Sequence, residues 1–186
     1  MPEDPDGRAE RASWLTLSLT PGIGPLTTAR LLQAFGPPED ILRASHARLS
    51  ARIGPALATA VLADDPQRAR AVQASLRWAE APGRALITLD DPRYPPRLLQ
   101  TPDPPPVLWA QGRLERLHSP ALAIVGSRSA TRGGQETATD WARALGEQGL
   151  TIVSGLVLGI DAAAHRGALR TPGGTIAVLG TGIERI

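Results

Sequence analysis

Two short motifs in the sequence hold residues that could bind a phosphate. Gly126-Ser127-Arg128 follows an apolar run at residues 121–125, and Ser154-Gly155 follows a second run at residues 151–153. Glycine lets the backbone approach a ligand closely, free N–H groups attract anions, and a guanidinium can bind a phosphate through two hydrogen bonds. These residue types, placed directly after apolar runs, predict a phosphate-binding crevice.

Strand-like and helix-like patterns alternate around both motifs. Residues 121–125, 151–153 and 175–179 are typical of strands buried in a parallel sheet, and residues 133–146 and 159–169 carry apolar side chains at helical spacing. The alternation predicts a doubly wound α/β sheet whose ligand crevice lies at the carboxyl ends of the strands. Both glycine-rich motifs should therefore face one crevice.

A dinucleotide is the main alternative ligand for such a crevice. The turn after the first strand lacks G-x-G-x-x-G, and Gly180-Thr181-Gly182 supplies only two of the three glycines, with no helix after them. We therefore expect no cofactor.

Asp161 and His165 lie four positions apart on one helix face and close to Ser154, so a serine hydrolase triad is an alternative. However, no G-x-S-x-G elbow presents a nucleophile, and the helix dipole explains an aspartate in the first turn. We interpret the Asp-His pair as structural support for the second loop and predict no catalytic residue. His46 and His118 lie far from carboxylate clusters, so no metal site is predicted.

The motifs and their order resemble a known family. The strings are YPPRLLQTPDPPPVLWAQG (94–112), IVGSR (124–128), SGLVLGIDAAAHRGAL (154–169) and GGTIAVLG (173–180). They resemble the DNA-processing protein A family (DprA, also called Smf), over about residues 85–186. The resemblance implies an extended Rossmann-like fold that binds single-stranded DNA in natural transformation, protects incoming strands and helps to load the RecA recombinase. It implies a binding protein rather than an enzyme.

The resemblance also implies where the nucleic acid is bound. The expected contacts are Gly126, Ser127, Arg128, Arg132, Ser154, Gly155 and Gly159. Arg132 is either a second phosphate contact or a solvated surface residue. Family members continue beyond Ile186 with further strands and an R-N-R-I loop, so part of the crevice and the surface of an expected homodimer would lie outside this sequence.

A second candidate DNA-binding surface lies near the N-terminus. SLTPGIGPLTTARLLQAFG (18–36) resembles a helix-hairpin-helix, in which the turn amides, here at Gly22 and Gly24, contact a DNA phosphate. GPALATAVL (54–62) echoes GPLTTARLL within it, which predicts a small all-α helix-hairpin-helix (SAM-like) domain at 13–82. The hairpin would add a weak contact with duplex DNA. Alternatively, both glycines only shape tight helix connections.

Composition sets the remaining expectations. The 186 residues include no cysteine and carry a net charge of +2, which excludes disulfides and argues against a strongly basic chain that coats duplex DNA. No signal peptide or long apolar run is present, so we expect a cytoplasmic protein. Residues 1–12 are polar and predict a disordered tail. A turn at Ala81-Pro82-Gly83 predicts the start of the Rossmann-like domain, 83–186.

The alternative function is that of a Rossmann-type nucleotide phosphoribohydrolase, similar to the lysine-decarboxylase-like group. These enzymes share a glycine-rich phosphate crevice and carry the signature P-G-G-x-G-T-x-x-E. Here Pro172-Gly173-Gly174 is followed by Thr175-Ile176-Ala177, which lacks the second glycine-threonine pair, and the glutamate is missing as well. The sequence therefore favours the DNA-binding protein.

Overall fold

The structure is a computed structural model that describes residues 5–180 and 182–183. The chain divides into two compact units, one ending at Leu114 and one beginning at Glu115. The first unit holds helices and an antiparallel strand pair, and the second holds a parallel sheet with two helices. The predicted α/β fold, in which helices precede a Rossmann-like sheet, is confirmed.

Six helices form most of the first unit. They are α1 (Pro5–Ser18), α2 (Pro25–Phe35), α3 (Pro38–Arg43), α4 (His46–Ile53), α5 (Pro55–Leu62) and α6 (Pro66–Ala79). Five of the six begin at proline, whose fixed φ suits the first helical position and whose missing N–H would have no partner there. The helices bury a common core that includes Leu31, Ile41 and Leu49.

The predicted disordered tail is corrected over residues 5–12, which form the start of α1. Arg8 forms an ion pair with Glu80 at 2.7 Å, just after the end of α6. Further along α1, Trp14 and Leu15 are buried. These contacts order a segment whose polar composition alone predicts disorder. Residues 1–4 of the predicted tail lie outside the described residues.

The strand pair of the first unit explains why its boundary lies at Leu114 rather than at the predicted 82/83. β1 (Arg84–Thr88) pairs antiparallel with β2 (Val107–Gln111), and both belong to a sheet separate from the parallel one. Leu86 and Val107 pack with residues of α1 and α6 in one core. The pair therefore belongs to the helical unit, because that is where its apolar side is buried.

The second unit alternates strands and helices. Its elements are β3 (Ala121–Ala123), α7 (Arg132–Glu147), β4 (Thr151–Ser154), α8 (Ile160–Ala168) and β5 (Thr175–Ala177). The three strands are parallel in the order β3-β4-β5, with Leu122, Ile152 and Thr175 in register. Right-handed crossovers between strands in this order place both helices on the same face.

The core of the second unit confirms that α7 and α8 share one face. Ile152 of β4 is fully buried and packs against Ala142 of α7 and Ala164 of α8. The helices approach closely at Gly167, where a side chain would collide with the Thr139 carbonyl. The described strands thus carry helices on one face, whereas a doubly wound sheet carries them on both. Within the described residues, no helix is long and apolar enough to span a bilayer.

Candidate nucleic-acid interface

The loop between β3 and α7 contains the first predicted motif, Gly126-Ser127-Arg128. The Ser127 hydroxyl accepts a hydrogen bond from the Ser129 N–H at 3.1 Å, and this local bond turns the loop. Thr131 then caps α7, because its hydroxyl accepts from the Gly134 N–H at 3.1 Å. Arg128 is exposed between these two turns. These two hydrogen bonds shape the loop, and the exposed guanidinium of Arg128 can meet a ligand.

The first turn of α7 offers unpaired donors beside Arg128. Within the described chain, the N–H groups of Arg132 and Gly133 have no acceptor, as is usual for the first turn of a helix. A Cβ added at Gly133 would meet nothing within 4 Å, so the backbone there is open. These amides lie at the positive end of the helix dipole. The combination attracts an anion.

Arg132 begins α7 with a highly exposed side chain, 94% accessible. It forms an ion pair with Glu136 at 2.9 Å, one turn along the helix. Exposed pairs of this kind contribute little, about 0.5 kcal/mol, so a phosphate can compete for the guanidinium. Arg132 also lines an open groove of about 390 Å³ with Arg166 of α8. Arg166 was not predicted from the sequence.

The second motif differs from the prediction at Ser154. This residue is 3% exposed, and its hydroxyl donates to the Ile124 carbonyl at 2.6 Å. The hydroxyl therefore joins β4 to the end of β3 and is not available to a ligand. The expected nucleic-acid contact at Ser154 is corrected to a role within the sheet.

The two loops contact each other directly through glycines. A Cβ at Gly126 would lie 2.7 Å from Cγ1 of Ile160, and a Cβ at Gly159 would collide with the Ser127 carbonyl. Gly159 also has a φ of 85°, which favours glycine. The Ile160 N–H donates to the Ser127 carbonyl at 3.2 Å. Gly126 and Gly159 therefore allow the first loop to pack against the start of α8.

Asp161 connects both loops to α8. It is 4% exposed, and its Oδ1 accepts from the Gly126 N–H at 3.3 Å while its Oδ2 accepts from the Gly155 N–H at 3.1 Å. The sequence predicts that Asp161 supports the second loop. The structure places it against the backbone of the first loop as well.

His165 contacts a strand, and no hydrogen bond joins it to Asp161 among the described residues. Its Nδ1 lies 2.7 Å from the Thr175 hydroxyl, which donates its own hydrogen to the Ile152 carbonyl. The ring is therefore hydrogen bonded to β5 through Nδ1, and among the described residues its buried Nε2 has no hydrogen-bond partner. Burial lowers the pKa of His165 and thereby favours the neutral ring. Since the Ser154 hydroxyl also points elsewhere, the three residues do not form a triad.

The hairpin glycines of the first unit have different surroundings. Gly22 has a φ of 81°, and a Cβ there would lie 2.7 Å from Leu57 Cδ2, so this glycine is needed for packing. Gly24 caps α2 with an extended backbone, and a Cβ there would meet nothing within 4 Å. The alternative that a glycine only shapes a tight helix connection accounts for Gly22. Of the two hairpin glycines, only Gly24 leaves room for a ligand.

A parallel sheet with glycine-rich loops at its carboxyl edge defines a Rossmann-like α/β protein. Residues 85–186 match the family model of DNA recombination-mediator protein A, and the chain belongs to this family. The family resemblance predicted from the motifs is thereby confirmed.

Individual relatives extend the match to most of the chain. Protein Smf of Synechocystis sp. is 38% identical over 185 residues, which cover 96% of this chain and 46% of that protein. Protein Smf of Escherichia coli is 44% identical over 117 residues, 63% of this chain and 31% of that protein. The X-ray structure of DNA processing protein A (DprA) from Streptococcus pneumoniae matches with a TM-score of 0.68 and 30% identity, over 93% of this chain and 58% of that one. The chain thus spans less than half the length of the two curated relatives.

Proposed function

We propose that this protein binds single-stranded DNA through its phosphates, at the loop between β3 and α7. In this proposal it acts in DNA processing during natural transformation, where it protects incoming strands and helps to load a RecA-type recombinase. The observation that carries the proposal is the exposed Arg128 next to the open first turn of α7. The names of the relatives, among them the DNA processing protein DprA of Streptococcus pneumoniae, support the same role.

Phosphate recognition follows from the groups that the site offers. Guanidinium groups and backbone N–H groups are all donors, and a phosphate oxygen is an acceptor. Such contacts position a strand without reading its sequence. The donors expected to contact the strand are the side chains of Arg128 and Arg132, with the main-chain N–H groups of Arg132 and Gly133.

In this proposal the protein binds DNA and does not catalyse a reaction on it. The Ser154 hydroxyl donates to the Ile124 carbonyl and makes no hydrogen bond to His165 among the described residues, so these two residues do not form a nucleophile and its base. The proposal therefore contains no catalytic step.

The partners of the whole protein are part of the same proposal. Family likeness supports a homodimer of the full-length protein, a cytoplasmic location and a RecA-type partner. The open Gly24 at the start of α2 supports an additional weak contact with duplex DNA.

The proposal is tested by titrating a labelled single-stranded oligonucleotide at several salt concentrations and following fluorescence anisotropy. We expect similar affinity for oligonucleotides of different sequence and a linear fall of log affinity with log salt concentration, since bound phosphates release counterions. Affinity that does not respond to salt, or that depends on one base sequence, would argue against phosphate recognition.

A further inference from the structure

We infer that Asp161 is a positioning residue for DNA binding: its buried carboxylate holds the phosphate-binding loop in place and thereby strengthens binding to an anionic ligand. The inference rests on the proposed function. Its basis is the pair of hydrogen bonds from one carboxylate to the Gly126 and Gly155 amides, at 3.3 and 3.1 Å.

A carboxylate can accept both bonds at once. Each of its oxygens accepts one N–H, whereas the side chain of an asparagine has one accepting oxygen and an NH2 group that donates. With asparagine at position 161, one backbone N–H would face another donor. Either Gly126 or Gly155 would then lose its hydrogen bond to α8.

The surrounding backbone packs closely around this carboxylate. A Cβ at Gly155 would lie 2.9 Å from Asp161 Oδ2, and a Cβ at Gly126 would meet Ile160, the residue before Asp161. The backbone of the two loops therefore packs directly against side chains in the first turn of α8. A shift of the carboxylate moves the loop that carries Arg128.

The contacts of Asp161 also divide the amides of the site into two sets. The N–H groups of Gly126 and Gly155 are occupied by the carboxylate, and that of Ile160 is occupied by the Ser127 carbonyl. The N–H groups of Arg132 and Gly133 have no acceptor among the described residues and can bind phosphate. The glycines after the strands thus shape the site, and the first turn of α7 receives the ligand.

A positioning role predicts the opposite sign from simple electrostatics. A carboxylate near a bound phosphate repels it, so its neutralisation should tighten DNA binding on charge alone. If the carboxylate positions the loop, its neutralisation should weaken binding. The direction of the change therefore distinguishes the two roles.

The experiment measures single-strand affinity by anisotropy for Asp161→Asn and for two further variants. Asp140→Asn removes the same charge from an exposed position on α7 and serves as the control. Asp161→Glu keeps the charge but displaces the carboxylate by one methylene. We expect binding about tenfold weaker for both Asp161 variants, equivalent to one charge-assisted hydrogen bond. The Asp140 variant should bind as the unmodified protein does or slightly more tightly, and thermal melting monitors the fold.

Amide signals in the unmodified protein provide a second readout that needs no variant. On addition of a single-stranded oligonucleotide, the amides of Arg132 and Gly133 should gain protection from hydrogen exchange. Those of Gly126 and Gly155 should be protected before and after. Added protection at Gly126 and Gly155 to the same degree as at Arg132 would overturn the inference, even where an Asp161 variant fails to fold.

The outcomes separate this inference from the proposed function. Unchanged or tighter binding by folded Asp161→Asn and Asp161→Glu, together with weaker binding by Arg128→Ala, would overturn the positioning role alone. If Arg128→Ala also binds normally, the proposed site itself is wrong.

Discussion

The guanidinium of Arg68 donates a hydrogen bond to the hydroxyl of Thr20 at 2.8 Å, between residues 48 positions apart in the sequence. Both residues are buried. The same guanidinium donates to three carbonyls at the end of α5, those of Ala60, Val61 and Ala63. Arg68 thereby supplies donors that this helix end lacks and ties it to the turn before Gly22.

Replacement of Arg68 by alanine should destabilise the first unit by about 3 kcal/mol, since several buried acceptors would lose their donors. Chemical denaturation measures this loss. Arg70→Ala, at an exposed position of the same helix, is the matched control and should change little. Equal stability of the two variants would contradict the role assigned to Arg68.

Stability should fall as the pH drops below about 6.5, because of His165. Burial lowers the pKa of this residue in the folded protein, so the unfolded chain takes up a proton first as the pH falls. Stability is therefore highest above the pKa that His165 has in the unfolded chain. It falls with the pH until the pH reaches the lower pKa of His165 in the folded protein. In His165→Gln this part of the pH dependence should disappear from denaturation curves, whereas His46→Gln, at an exposed histidine, should retain it. An unchanged slope in His165→Gln would show that other groups cause the effect.

Incubation of the protein with nucleoside monophosphates or with esters should release no product above background. Among the described residues, no hydrogen bond joins the Ser154 hydroxyl to the His165 ring, because the hydroxyl donates to the Ile124 carbonyl. Chromatographic product analysis provides the measurement. Turnover that is abolished by Ser154→Ala or His165→Ala, with the fold intact by circular dichroism, would reverse the assignment as a binding protein.

The two hairpin glycines should respond differently to substitution. Gly22→Val should destabilise the first unit by about 1 to 2 kcal/mol or more, because of its positive φ and its contact with Leu57. Gly24→Val should destabilise the unit less, since its φ of −93° and open surroundings accept a side chain and only the preference for glycine over valine at the helix N-cap is lost. If the hairpin contacts phosphate, Gly24→Val should weaken duplex binding by about 1 kcal/mol, the worth of one hydrogen bond. Normal duplex binding by this variant would remove the hairpin contact from the proposal.

The strands of the second unit were predictable because each is a short apolar run before a glycine or a polar residue. That local pattern places Gly126 and Gly155 at the carboxyl edge of the sheet, where the structure has them. The partners of the polar residues were not predictable. The spacing of Asp161 and His165 indicates a pair, yet Asp161 binds an amide 35 positions away. Sequence spacing reports neighbours on one helix and carries no information on which distant backbone packs there.

Two predictions about the first unit, a disordered tail and a domain boundary, differ from the structure for the same reason. A polar composition predicts a tail at residues 5–12, but the partner that orders them, Glu80, lies beyond α6. A proline-glycine turn at 82–83 predicts a boundary, but the strands that follow bury Leu86 and Val107 against the helices before it. In both cases, contacts between residues far apart in the sequence determine the structure. The helix start at Thr131 did have a local signal, a threonine directly before the helix, that was missed.

The central claim, that phosphates bind at the loop between β3 and α7, is tested most directly by comparing Arg128→Ala with Arg143→Ala. Arg143 is an exposed arginine further along α7, so both variants remove one positive charge from the same unit. Single-strand affinity is measured by anisotropy at several salt concentrations. We expect Arg128→Ala to weaken binding equally for all sequences and to reduce the salt slope by about one counterion, and Arg143→Ala to change neither. Equal effects of the two substitutions, or no effect of Arg128→Ala, would contradict the account.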